Sequence, residues 1–262
     1  MKLSGVSGLM RTEEQQQQRA REGPAGNQPA VCPVGNCRTM VAHTHLLRHM
    51  ISDHLDPGAR ALPFQLRLRE VAIGQKTLLM LAYSQMVLDQ DYCLAVLNWR
   101  QPNIKLGPGE LAAQQLDLPP CHQFLDCHLP VLVMACRTTW KALLTHEDRA
   151  IRSEQYAIGA RYPDPSREWG TVYLFWLLSP ATRRPVYATL SVLNDELECI
   201  ERRNRRRIRN FSCRMPIQQF INGLDPTFIT INEEKLDRNC KVEGNWEKAS
   251  VIVEVVLEGE GK

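Results

Sequence analysis

Two cysteines and two histidines carry the clearest chemistry in this sequence. Cys32 and Cys37 flank the loop Pro33-Val34-Gly35-Asn36; His49 follows after eleven residues and His54 after four more. A Cys-x4-Cys-x11-His-x4-His spacing supplies two thiolates and two imidazoles, the donor set of a closed tetrahedral zinc site. Gly35 and Asn36 tolerate the backbone angles of a knuckle that aims both sulfurs at one ion. His49 and His54, about one helical turn apart, can face that ion from a single helix. Val41 and Leu46 lie between the ligand pairs and can form a small core beneath it. So short a segment buries too little apolar surface to fold unaided, so metal binding would drive its folding. One structural Zn2+ per chain is therefore expected, held by Cys32, Cys37, His49 and His54. His43 and His45 compete for the histidine places, but Leu46-x2-His49 has the usual spacing from finger core to first histidine.

Other constellations are weaker. Counted back from His49, the base-reading positions of a DNA-binding finger fall on Ala42, His45 and Arg48. Ala42 can touch only a methyl group, and Arg48 alone is a strong base reader. Sequence-specific DNA binding by this lone finger is not expected. A basic patch comprises Arg202, Arg203, Arg205, Arg206, Arg207 and Arg209, with Glu201 as its one acid. It would suit nuclear import or phosphate-backbone binding. The plainer reading is a solvated strand whose exposed face carries Arg203, Arg205, Arg207 and Arg209. The pairs Cys121-His122 and Cys127-His128 are not expected to share an ion, because neighbours in a strand point oppositely. No Gly-x-Ser-x-Gly elbow, glycine-rich phosphate loop or His-Glu-x-x-His motif is present, so an enzyme is not expected.

The elements that must position these residues follow from the wider pattern. The chain has 262 residues, and 32 Lys+Arg against 29 Asp+Glu leave a net charge of only +3, which argues for no particular partner. No apolar run reaches 18 residues, and the polar start has no secretory signal, so neither membrane association nor export is expected. Nine scattered cysteines read as reduced thiols in a cytoplasmic or nuclear protein. Cys93, Cys136 and Cys199 lie in apolar runs as small buried hydrophobes. Residues 1–30 read as a disordered tail, 31–56 as the zinc finger and 62–262 as a β-sandwich interaction domain. Candidate strands are 64–71, 78–83, 92–99, 129–136, 171–178, 186–193, 207–212, 227–231 and 250–257. In the last, Val251, Val253, Val255 and Leu257 share one face and Glu254 takes the other. Short helices are predicted at 109–115 and 217–222. Tyr173, Phe175, Trp176 and Tyr187 read as sandwich core.

The finger spacing, the Cys-Pro start and the short link to a β-rich domain resemble the seven-in-absentia family of ubiquitin ligases, or an insect-type family of the same layout. Downstream, Val172-Tyr173-Leu174-Phe175-Trp176-Leu177-Leu178-Ser179, the strand beginning Pro185-Val186-Tyr187 and the basic stretch 202–209 follow a similar order. So does the closing helix-then-strand segment, 228–236 and 251–257. The resemblance covers 31–56 and 125–257 and implies a mainly β fold, an antiparallel TRAF-like β-sandwich behind a small Cys2His2 finger. It implies an adaptor that binds partner peptides, linked to ubiquitin pathways. No RING ligands precede Cys32, and residues 84–125 look like an insertion, so neither ligase activity nor groove residues carry over. The expected partners are proteins bound as extended peptides, with a homodimer also allowed. A nuclear, nucleic-acid-associated role for the basic run is the alternative.

Overall fold

The structure is a computed structural model that describes residues 29–35, 37–55, 66–100, 115–144, 170–182, 185–212, 227–240 and 249–260. The helices predicted at 109–115 (Gln115 apart) and 217–222 lie outside these residues, as does nearly all of the tail predicted over 1–30.

The fold is mainly β. A two-stranded ribbon, β1 (Ala30–Val31) and β2 (Met40–Val41), belongs to the Cys/His segment. The remaining strands form two sheets. The larger contains β3 (Arg67–Val71), β5 (Asp91–Trp99), β6 (Leu129–Thr139) and β7 (Thr171–Ser179), with β10 (Arg209–Asn210) and β11 (Phe228–Asn232) both pairing with β7. The smaller runs β4 (Lys76–Leu81), β12 (Val251–Glu260), β8 (Val186–Leu193), β9 (Cys199–Arg207). Most pairings are antiparallel. β3 with β5 and β10 with β7 are the two parallel pairings, which make the large sheet mixed.

The core between the sheets is built by alternation. Val131, Val133 and Ala135 of β6 meet Leu190 and Val192 of β8 and Val251, Val253, Val255 and Leu257 of β12. The predicted face of β12 is the one buried. Glu254, on the opposite face, is also buried, because Lys76 Nζ lies 3.3 Å away and Arg202 and Ser191 close over it from the other side. Tyr173 and Phe175 belong to this core, but Trp176 packs on the far face of the large sheet and Tyr187 is half-buried beneath Arg205. Consecutive residues of a strand cannot share one side.

The central strands of the large sheet are covered on both faces, which explains why they read as continuous apolar runs rather than alternating ones. β6 buries Leu132 and Met134 on the outer side as fully as Val131 and Val133 on the inner. β5, inside the stretch that looked like an insertion, is a central strand of this sheet.

The basic run departs from its predicted shape. The strand placed at 207–212 begins at Cys199 and runs along β8 as the edge strand β9. Ile208 then carries the chain from one sheet to the other, donating its N–H to Val186 O at 2.8 Å, and β10 joins β7. Arg205 takes φ 37°, and the register with β8 shifts there, a β-bulge. The bulge breaks the expected parity of Arg203, Arg205, Arg207 and Arg209. Arg203 and Arg206 stand opposite Leu190 and Ala188, on the inward side. Cys199, expected to be buried, is exposed at the start of this edge strand, whereas Cys93 and Cys136 are buried.

Candidate metal centre

The Cys/His segment begins at β1, turns through the knuckle and returns as β2. The knuckle is closed by Cys32 N–H donating to Thr39 O at 2.9 Å and Cys37 N–H donating to Val34 O at 3.0 Å. A 3-10 turn, His43–His45, leads into the helical turn Leu46–His49 and then a π-helical segment, Met50–Leu55. The π segment corrects the single-helix expectation, and its reason is geometric. At about 100° per residue, the fifth residue along an α-helix lies about 140° round from the first. Widening the turn to i→i+5 bonding swings His54 back towards the side of His49.

Cys32, Cys37, His49 and His54 meet, each offering one ligand atom, all within 4.8 Å of one another. Cys32 Sγ is 3.4 Å from His54 Nε2, Cys37 Sγ is 3.5 Å from His49 Nε2, and the two Nε2 atoms are 3.3 Å apart. Bonds of about 2.3 Å to sulfur and 2.05 Å to nitrogen, meeting tetrahedrally, separate S from N by about 3.5 Å and N from N by about 3.3 Å. These three separations match those between ligands of one tetrahedral ion. Asp53 Oδ2 lies 2.7 Å from His49 Nδ1, which fixes the tautomer that leaves Nε2 free to ligate. Cys37 Sγ is 3.4 Å from Thr39 Oγ1. Burial pushes the Cys32 thiol up to about 12 and lowers His49 against the opposing pull of Asp53. A bound cation reverses the thiol shift by stabilising the thiolate.

The small core forms as expected: Val41 and Leu46 are buried, joined by Val34, Leu47, Met50 and Ile51. The same cluster continues into Cys93, Val96, Leu132, Met134 and Leu178 of the large sheet and Leu118 and Leu125 of the segment leading to β6. The finger thus covers this part of the sheet's outer face, while Leu143 and Trp140 pack over Cys136, Val172 and Leu174.

Polar contacts fix its seat. Gly35, at φ 42°, donates its N–H to Asp91 O at 2.7 Å, and a Cβ there would stand 3.3 Å from that oxygen. His43 is not a ligand. It is buried, its Nδ1 accepts the Ala181 N–H at 2.9 Å, and its ring lies 4.5 Å from that of Phe211. Gln115 accepts the Leu47 N–H and donates to His43 O, both at 3.0 Å. His45 Nε2 and Arg48 NH1 both contact Asp117 Oδ2, at 3.2 and 3.3 Å. Two of the three reading positions are thereby engaged within the chain. Asp53 was discoverable as the acid four residues after a ligand histidine. His43, Gln115 and Asp117 carry no such signal, since their partners are more than sixty residues away.

The remaining predicted residues lie elsewhere. Cys121 Sγ sits 3.1 Å from His122 Nδ1 on an exposed turn, Cys127 is exposed, and His128 is buried beside Glu70. Among the described residues, the Cys2His2 group is the one set of three or more His, Cys, Asp or Glu side chains whose ligand atoms converge. In the basic patch, Arg202 Nε donates to Ser191 Oγ at 3.0 Å and Arg203 NH1 pairs with Glu201 at 2.7 Å. Arg205 stacks over Tyr187 at 5.3 Å, Arg206 and Arg207 are exposed, and Arg209 is half-buried in β10. Among the described residues, no helix is long and apolar enough to cross a membrane.

No curated protein matches the chain. The family model described as "Domain of unknown function (DUF4729)" matches residues 31–242, a span that begins at the metal segment and runs through most of both sheets, and the chain belongs to that family.

Proposed function

We propose that the protein is an adaptor in which a zinc-bound finger braces a β-sandwich and the edge strand β4 receives an extended partner peptide. The observation that carries this is β4 itself. It is a regular edge strand, with β12 as its one sheet neighbour among the described residues, and its outward side chains Leu78 and Met80 are 41% and 72% exposed. An edge with unpaired backbone groups and apolar outward residues is the surface on which strand addition operates. The other edge of the same sheet, β9, is bulged and arginine-rich, with charges on its inward side, which discourages pairing.

Zinc is the ion because two thiolates and two imidazoles in a closed tetrahedral set are its usual structural donors. It would supply cross-linking: the ligands hold the knuckle to the helical segment and so keep the finger seated. The likeness to the seven-in-absentia family supports a TRAF-like sandwich and a link to ubiquitin pathways. None of the eight described cysteines is in a disulfide, and the six outside the metal centre are free thiols, which fits a cytoplasmic or nuclear setting. A nucleic-acid role for residues 202–209 has less support, since Arg202 and Arg203 are paired within the sheet and Arg48 is held by Asp117.

Peptides selected from a library of extended sequences test the reading. They should slow amide hydrogen exchange in β4 and lose binding in Leu78→Lys with Met80→Lys, while Arg205→Ala with Arg206→Ala retains it. Peptides that protect only β9, or RNA binding that depends steeply on salt and on Arg205 and Arg206, would defeat it.

A further inference from the structure

A second polar cluster lies on the outer face of the large sheet, beyond the apolar layer under the finger. Glu70 of β3 pairs in register with Asn98 of β5, and Asn98 pairs with Pro130 of β6. His128 stands one residue before β6 begins, at the end of that strand where Pro130 pairs with Asn98. β3 and β6 are not neighbours; β5 runs between them. Yet His128 Nε2 and Glu70 Oε1 are 3.4 Å apart. The two side chains therefore meet across β5, near the rung on which Asn98 pairs with Glu70 and with Pro130.

The polar atoms here are unsatisfied in a consistent way. Asn98 has no solvent exposure; its Nδ2 donates to Arg69 O at 3.5 Å, while its Oδ1 has no hydrogen-bond partner. His128 is more than nine-tenths buried, and neither ring nitrogen makes a hydrogen bond, despite the closeness of Glu70. Buried polar groups of this kind call for a partner. Two ligand atoms of one tetrahedral cation stand about 3.4 Å apart when each bond is about 2.05 Å. A nitrogen and an oxygen at that separation without hydrogen-bond geometry suit a shared ion better than a shared proton. Glu70 is half-exposed, which leaves an entry path and room for water ligands.

We propose that Glu70 and His128, with the Asn98 carboxamide oxygen, form a second cation site for a divalent first-row metal such as zinc or manganese. One imidazole nitrogen, one carboxylate and one amide oxygen form a donor set of intermediate hardness, suited to those ions rather than to thiolate-seeking ones. The site is separate from the Cys2His2 centre and does not depend on it.

Cobalt(II) titration of the full chain tests this, because the finger alone gives a thiolate-to-metal charge-transfer band. The expected result is a second equivalent bound without added thiolate absorption. Glu70→Gln, an exposed and nearly isosteric change, should weaken that equivalent at least about tenfold while leaving the thiolate band unchanged. In Cys32→Ser with Cys37→Ser, the band should vanish and the thiolate-free equivalent persist, so failure of the finger and failure of this site are told apart. Uptake of one thiolate-bound equivalent only, as a plain His–Glu ion pair or a trapped water would give, overturns the proposal. So does a second equivalent that survives Glu70→Gln unchanged.

Discussion

The two faces of the large sheet are both buried, but by different means. On the inner face Val131, Val133, Ala135, Tyr173 and Phe175 meet another sheet across a wide apolar core. On the outer face Leu132, Met134, Cys93 and Val96 meet a finger whose own core is a handful of residues. The inner layer holds itself by area removed from water. The outer layer is too small for that and depends on a cross-link through four donor atoms. One set of strands thus couples a self-sufficient core to a conditional one.

Metal removal should break that pairing most sharply. Structural zinc contributes on the order of 10 kcal/mol to the folding of such segments at neutral pH. Chelation, or Cys37→Ser, should leave residues 31–55 protease-sensitive and expose Leu132 and Met134 to a hydrophobic dye, while far-UV circular dichroism keeps its β signature. A finger that stays protected without metal would show that the two layers do not differ in kind. Core truncation sharpens the contrast. Phe175→Ala should cost about 3–5 kcal/mol in urea unfolding with or without metal. Met134→Ala should cost about 2–5 kcal/mol in the metal-loaded protein and far less after chelation, because its cover has gone.

Smaller effects should come from the seat of the finger. His43→Ala removes the acceptor for the Ala181 N–H and should cost about 1–3 kcal/mol. The loss should be seen in loaded protein and vanish once the finger is released. Asp117→Ala removes exposed contacts to His45 and Arg48 and should change stability by less than about 1 kcal/mol. A larger loss by thermal unfolding would mean that the segment at 115–117 holds the finger more strongly than its exposed charges imply.

The four ligands were legible because metal chemistry restricts both residue type and spacing, and both are local. Strands β4, β5, β6, β7, β8, β11 and β12 were legible because β-branched and apolar runs end in turn residues. β9 was not, since five arginines mask a strand in which Glu201 is paired by Arg203 and Lys235 and only Ile200 joins the apolar core. The double burial of β5, β6 and β7 was written in their unbroken apolar runs, yet nothing local says what covers the second face. The π-helical turn was implicit in the five-residue step from His49 to His54, which an α-helix cannot align. His43, Asn98 and His128 are single polar residues whose meaning comes from strands far away in sequence, and no spacing rule reaches them.

The place of β12 has a consequence for how the chain is made. It lies between β4 and β8, and pairs Leu81 with Val251 and Lys76 with Val256. During synthesis β4 emerges early and has no sheet neighbour until nearly the whole described chain has left the ribosome. Its exposed Leu78 and Met80 then belong to an unpaired strand rather than an edge, and pairing over so long a loop is slow. The nascent chain therefore presents a sticky strand for the duration of its own translation, and chaperone demand should fall abruptly once β12 is released.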